Sequence, residues 1–308
     1  SEPLAPDHEK TEAIKEEKTR LKEAALNKTN ATEAANGVVT PVVGMNYPGN
    51  NNNDMSPMDN NVAISNGGII VSVANTTIEY DDMQGNTVYY KNMLDIITNI
   101  NPSITGICDP LVIYDSGSDR FIAFCQSTPL TSPNKIFVWF SKTNDPGDGW
   151  WIYTFNGDPS GAGDAFDYPK MAVSNNELFI TGNMFYTSNV KFHRSIIFQM
   201  DKLAGYAGSS INYLYYTASD FTLLPVSYGQ QGNYGPGIFM VSSISGGGSS
   251  IKLFRITNKI GSSPVLNNWT VSTTAYSLGG NVSQLGTPCK LDNGDCRILS
   301  GFYLNGII

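Results

Sequence analysis

Charge is scarce in this sequence. Only 15% of its 308 residues are Asp, Glu, Lys or Arg, and the formal net charge is -8. A sparse, acidic surface repels phosphate backbones, so the chain is expected to have no nucleic-acid partner. Apolar runs are short. None approaches the roughly 20 residues of a membrane-spanning helix, so the chain is not itself expected to span a membrane. Histidine occurs twice and cysteine four times, with no CxxC or Cys/His cluster of the kind that holds zinc. No GxSxG elbow accompanies His193, which is expected to be a strand packing residue. The GGGSS stretch at 246–250 makes a hairpin turn rather than a phosphate loop, because no Lys-Ser/Thr and no helix follow it. Glutamate is nearly confined to the first residues; beyond them only Glu79 and Glu177 remain.

What is abundant is Gly, Asn, Ser, Thr and Tyr, the profile of a turn-rich all-β protein. Residues 1–36 stand apart. Their Glu, Lys and Ala content predicts a charged helical arm with a narrow apolar stripe. Two roles suit such an arm: a solvated extension, or a helix that docks on a partner. Residues 37–56 form a linker and an Asn-rich loop. Ser1 in place of Met predicts a cleaved export signal.

From residue 57 a unit repeats: polar start, short apolar strand, tight turn, second apolar strand. Copies begin at Met58, Cys108 and Phe166, with looser ones at Tyr234 and Thr287. This spacing matches one four-stranded propeller blade, with runs such as KIFVWF and SIIFQM supplying outer strands. The expected fold is therefore an all-β propeller over 57–308. Five blade repeats are visible, the last is incomplete, and the ring is expected to continue beyond Ile308. Cys108 and Cys125 flank one hairpin, and Cys289 and Cys296 flank another. Two local disulfides and an oxidising compartment are the expectation.

Asp59, Asp109 and Asp167 sit at the start of three consecutive copies, where a propeller's first strands meet at the channel mouth. Three readings stand. Each Asp caps its own turn. The three bind a hard cation such as Ca2+, with Asn60 completing the shell. Or they form an acid/base set for cleaving glycosidic bonds. Tyr168 joins Asp59, Asn60, Asp109 and Asp167 as the candidate binding set. Glu177, Arg120 and Arg297 lie next to hairpin turns, on the side expected to face away from this mouth.

The stretch Ser141–Trp151, SKTNDPGDGWW, resembles the Asp-box of sialidase-type propellers, through Ser141, Asp145, Gly149 and Trp150 at a stretched spacing. The resemblance implies a structural turn between third and fourth strands. Sialidase activity is not expected, because only Arg120, Arg194, Arg255 and Arg297 follow the arm and no arginine cluster is apparent. The runs from Met58, Asp109, Ser141 and Asp167 are also similar to secreted surface propellers of gliding, surface-colonising bacteria. That resemblance implies an extracellular, cell-surface location rather than a reaction, and adhesion-type binding of a protein or glycan partner, as a subunit of an outer-surface complex, is the expectation set beside it. A non-catalytic scaffold is therefore the first expectation, and a glycoside hydrolase the alternative.

Overall fold

The computed structural model describes residues 46–50, 58–130, 133–228, 235–291, 293–304 and 307–308. The arm predicted at 1–36 and most of the linker at 37–56 lie outside the described residues. The described chain is mostly β, arranged as successive four-stranded antiparallel sheets.

Sheet 1 is a meander of β1 (Asn60–Ile64), β2 (Ile70–Ala74), β3 (Thr77–Asp81) and β4 (Thr87–Asn92). Helix α1 (Met93–Ile100) follows. Asn92 caps it by accepting a hydrogen bond from Leu94 N at 2.8 Å, which satisfies one orphan amide of the first turn. Sheet 2 is β5 (Ile107–Asp115), β6 (Arg120–Ser127), β7 (Lys135–Ser141) and β8 (Trp150–Asn156). Sheet 3 is β9 (Asp164–Val173), β10 (Glu177–Tyr186), β11 (Phe192–Asp201) and β12 (Tyr213–Ala218), with the short helix α2 (Lys202–Tyr206) between its last two strands. Sheet 4 is β13 (Leu224–Pro225), β15 (Ile238–Ser243), β16 (Gly247–Ile256) and β17 (Leu266–Ser277). Strand β14 (Ser227–Tyr228) continues β13 and pairs in parallel with β20 (Phe302–Tyr303). A two-stranded ribbon joins β18 (Val282–Ser283) to β19 (Lys290–Leu291).

Alternation along the strands decides how the sheets stack. On β6, Phe121, Ala123 and Cys125 enter one core with Val71, Val73, Ile78 and Tyr80 of sheet 1. Ile122 and Phe124 enter another with Phe166, Ile180 and Phe198 of sheet 3. On sheet 3, Phe179 and Ile197 turn the other way, onto Met240, Phe254 and Ile256 of sheet 4. Sheets 2 and 3 are thus apolar on both faces, and each is covered on both. The first strands stay together: β5 contacts β1 and β9, and β9 contacts β13 and β14.

Polar contacts stitch the same seams. Lys202, 1% exposed, places its Nζ 2.7 Å from Asp115 Oδ2 at the β5–β6 turn, and Tyr206 OH donates to the same oxygen at 2.9 Å. Burial pushes the Lys202 ammonium down from its ordinary range, and Asp115 opposes that. Between sheets 3 and 4, Glu177 Oε1 accepts from Ile260 N at 2.6 Å and from Gln199 Nε2 at 2.9 Å.

Several sequence expectations need correction. The fourth copy's hairpin, β15–β16, occupies the second and third positions of its sheet; the first strand is β13, whose Pro225 masks it as a strand. The predicted disulfides are absent: no disulfide joins any of the four cysteines. Cys108 stands opposite Gln126, so Cys125 is one residue out of register and points to the other face, into the seam with sheet 1. Burial pushes the Cys125 thiol well up. Cys289 precedes β19, whereas Cys296 runs beside the β15–β16 turn, its N–H donating to Ser245 O at 2.9 Å. Those two residues do not flank one hairpin.

Removing one partner of the Lys202–Asp115 pair leaves a buried charge uncompensated. Lys202→Ala should cost about 3–5 kcal/mol. Lys202→Met combined with Asp115→Leu should recover most of that, as read by urea denaturation followed by circular dichroism.

Candidate functional site

Just before β1, near the start of β5 and within β9, Asp59, Asp109 and Tyr168 adopt left-handed backbone angles, with φ of 45°, 51° and 57°. Non-glycine residues rarely hold this conformation, and each instance costs of the order of 1–3 kcal/mol. Two of the three are built the same way. In β5 the register jumps between Cys108 and Leu111, and in β9 the matching jump falls between Asp167 and Lys170. Each is a bulge in which Asp109-Pro110 or Tyr168-Pro169 stands where the partner strand has one residue, Cys125 or Gly182. Gly182 has no alternative, since a Cβ there would come within 2.2 Å of the Phe166 ring. The bulges show that Tyr168, not Asp167, is the counterpart of Asp109. Asp167 corresponds to Cys108, one residue earlier than the sequence repeat suggests.

The three aspartates nevertheless meet. Asp109 comes from sheet 2 and Asp167, 1% exposed, from sheet 3; the two carboxyls hydrogen-bond each other, and the charge of Asp59 reaches Asp109. Asp109 Oδ2 also accepts from Tyr168 N at 3.3 Å, so it bonds the neighbouring sheet. Gln126 Nε2 donates to Asp167 Oδ1 at 3.0 Å. Burial, then the charge of Asp167 and the shared hydrogen bond, push Asp109 up to about 8, so the pair holds one proton at neutral pH. Burial also raises Asp59.

A cleft of about 230 Å³ opens over these groups, lined by Asp59, Asn60, Asn61, Asp109, Tyr168 and Lys170 among others. Lys170 Nζ lies 4.3 Å from the Tyr168 ring centre, and the Arg297 guanidinium carbon lies 4.8 Å from it. Burial and the nearby Arg297 lower Lys170, and Asp109 opposes them. Arg297 therefore belongs to this side of the molecule, contrary to the sequence expectation; Glu177 and Arg120 lie at the opposite ends of their strands. Lys170 and Arg297 escape sequence reasoning because one is mid-strand and the other arrives from far along the chain.

His193 also does more than pack. Its Nδ1 lies 2.8 Å from Oδ2 of the buried Asp164, which Arg194 Nη2 also meets at 2.8 Å. His193 stacks on Tyr186 with ring centres 4.2 Å apart. At the far end of sheet 2, the Ser141–Trp150 turn connects β7 to β8. Asp145 Oδ1 accepts from Gly147 N at 2.8 Å, Gly149 takes φ 99°, and Trp150 Nε1 donates to Tyr80 OH at 2.5 Å across the seam to sheet 1. Among the described residues, no group of three or more His, Cys, Asp or Glu is arranged to hold a metal ion. No helix among the described residues is long and apolar enough to cross a membrane.

The raised Asp109 sets a pH dependence. Its proton is held more tightly in the folded chain than in the unfolded one, where the group titrates near its ordinary 3.8. Its contribution to stability is therefore complete below about pH 4 and is lost as pH rises through about 8. Thermal unfolding should show a fall in Tm between pH 5 and pH 9, and Asp109→Asn should flatten that fall. An equal fall in both proteins would rule out this assignment.

No protein-family model matches the chain, and no curated protein matches it either.

Proposed function

We propose that this chain is a β-propeller-type extracellular binding module that engages a glycan through the cleft at Asp59, Asn60, Asp109 and Tyr168, without catalysis. The observation that carries the reading is the convergence of three strained non-glycine residues, one from each of three sheets, on one polar cleft. Strain of this kind persists where surrounding structure over-determines it, and it clusters at ligand sites. Sugar hydroxyls both donate and accept. The cleft offers carboxylates and amides from Asp59, Asn60 and Asn61, a donor in Lys170, and the tyrosine ring of Tyr168.

Propeller architecture is supported by the repeated meander, by the cores between consecutive sheets, and by first strands that remain neighbours. A secreted, cell-surface setting suits the low charge and the Asn-, Ser- and Thr-rich composition; the cysteines, which form no disulfide, lend it no support. Adhesion within an outer-surface complex remains part of the proposal, with a protein partner as the other outcome of the same test.

One observation favours hydrolysis as a second reading. Asp109 keeps its proton near neutral pH beside further carboxylates, the arrangement a general acid requires.

A glycan array probed with the folded protein tests the first reading. Binding to a defined set of glycans is expected, and Asn60→Ala and Lys170→Ala should each weaken it about tenfold, the loss of one good hydrogen bond of about 1.4 kcal/mol. Binding unchanged in both variants would remove the cleft as the ligand site. Release of shortened glycan by the wild type, abolished in Asp109→Asn, would replace the binding module with the hydrolase.

A further inference from the structure

The face of sheet 1 turned away from sheet 2 carries buried acidic side chains. Val71, Val73, Ile78 and Tyr80 point into the seam with sheet 2. Register then assigns Val62, Ile64, Ile70, Ser72, Glu79 and Asp81 to the opposite face. Ser72 stands directly across from Glu79, and Asp81 follows Glu79 on the same side of the strand. Both acids are buried, Glu79 at 7% and Asp81 at 3% exposure.

Two polar atoms on this face are left unsatisfied. Asp81 Oδ1 and Ser72 Oγ are shielded from solvent and have no hydrogen-bond partner. Native structures leave few such groups, because each costs about 1–3 kcal/mol. Asp81 and Ser72 line a cavity of about 360 Å³, whose wall also carries Asn50, Asn60 and Asn61. The wall is held in place: Asn50 Nδ2 donates to Ser72 O at 3.2 Å, and Thr77 Oγ1 donates to Asn50 Oδ1 at 2.8 Å.

We infer that Glu79, Asp81 and Ser72 form a binding site for a hard divalent cation of the Ca2+ type. The donor set is all oxygen: two carboxylates and a hydroxyl, with Asn60 at the cavity wall. Neither imidazole nor thiolate takes part, which disfavours zinc and copper. A Ca2+ ion accepts six to eight oxygens in flexible geometry, so water completes what the side chains leave open. The ion would give Asp81 Oδ1 and Ser72 Oγ their missing partner and cancel the repulsion between the acids. This site uses neither Asp109 nor Asp167 and does not rest on the glycan-binding reading.

Calorimetric titration of chelator-treated protein with Ca2+ alone tests it, with Tm measured in parallel. One equivalent should bind with Kd no weaker than about 1 mM, the range of extracellular modules, and Tm should rise. Asp81→Asn and Glu79→Gln should each weaken binding at least about tenfold, whereas Asp109→Asn should leave it unchanged. The wild type supplies an independent reading. Tb3+ should show emission excited through tyrosine, Ca2+ should displace it, and Tyr90→Phe should dim it, because Tyr90 stands opposite Glu79. The proposal is overturned by the absence of both heat and Tm shift up to about 10 mM Ca2+, ten times the weakest such sites. It is equally overturned if the Glu79 and Asp81 variants bind as the wild type does, or if Tyr90→Phe leaves Tb3+ emission unchanged.

Discussion

Sheets 2 and 3 are apolar on both faces, and that constraint organises the molecule. A sheet with Phe121 and Cys125 on one side and Ile122 and Phe124 on the other is stable only between two neighbours. Fully burying each large apolar side chain contributes about 1.5–3 kcal/mol, so the seams outweigh any single polar contact across them. The Lys202–Asp115 pair and the Glu177 network fix alignment at one end of the sheets, where a sliding error would leave charges unpaired. Stacking by the faces also brings the first strands side by side, and the cleft follows from it.

The cleft carries the cost of that arrangement. Asp109 and Asp167 are driven together by the packing of sheets 2 and 3 rather than by attraction between them. One shared proton makes the contact tolerable, as burial and like charge both demand. Lys170 is pushed the opposite way by its own burial and by Arg297. The cleft thus sets a carboxyl and an ammonium, each shifted toward its neutral form by burial, beside strained backbone.

Much of this was legible in the chain, for identifiable reasons. The β1–β2, β5–β6 and β9–β10 hairpins announce themselves through alternating apolar residues around Gly-, Asn- or Ser-containing turns. The convergence of Asp59, Asp109 and Asp167 follows from those hairpins sharing one orientation. The errors share a cause in local register. A two-residue bulge in β9 makes Tyr168 the counterpart of Asp109, which no repeat alignment could reveal. The same period of two places Cys108 and Cys125 on opposite faces, although they look adjacent around a hairpin. Pro225 hides the first strand of sheet 4. Arg297 at Tyr168, and the Asp164 carboxylate behind His193, depend on contacts between distant segments, and no spacing in the sequence encodes them.

Trp150 is a partly buried indole whose Nε1 is bound to Tyr80 OH and whose ring meets Trp139 edge-on at 6.3 Å, at the seam between the first two sheets. An indole in that position senses polarity and separation where sheet 1 meets sheet 2. The protein thereby contains a native optical gauge of that junction, built from its own side chains and remote from the cleft.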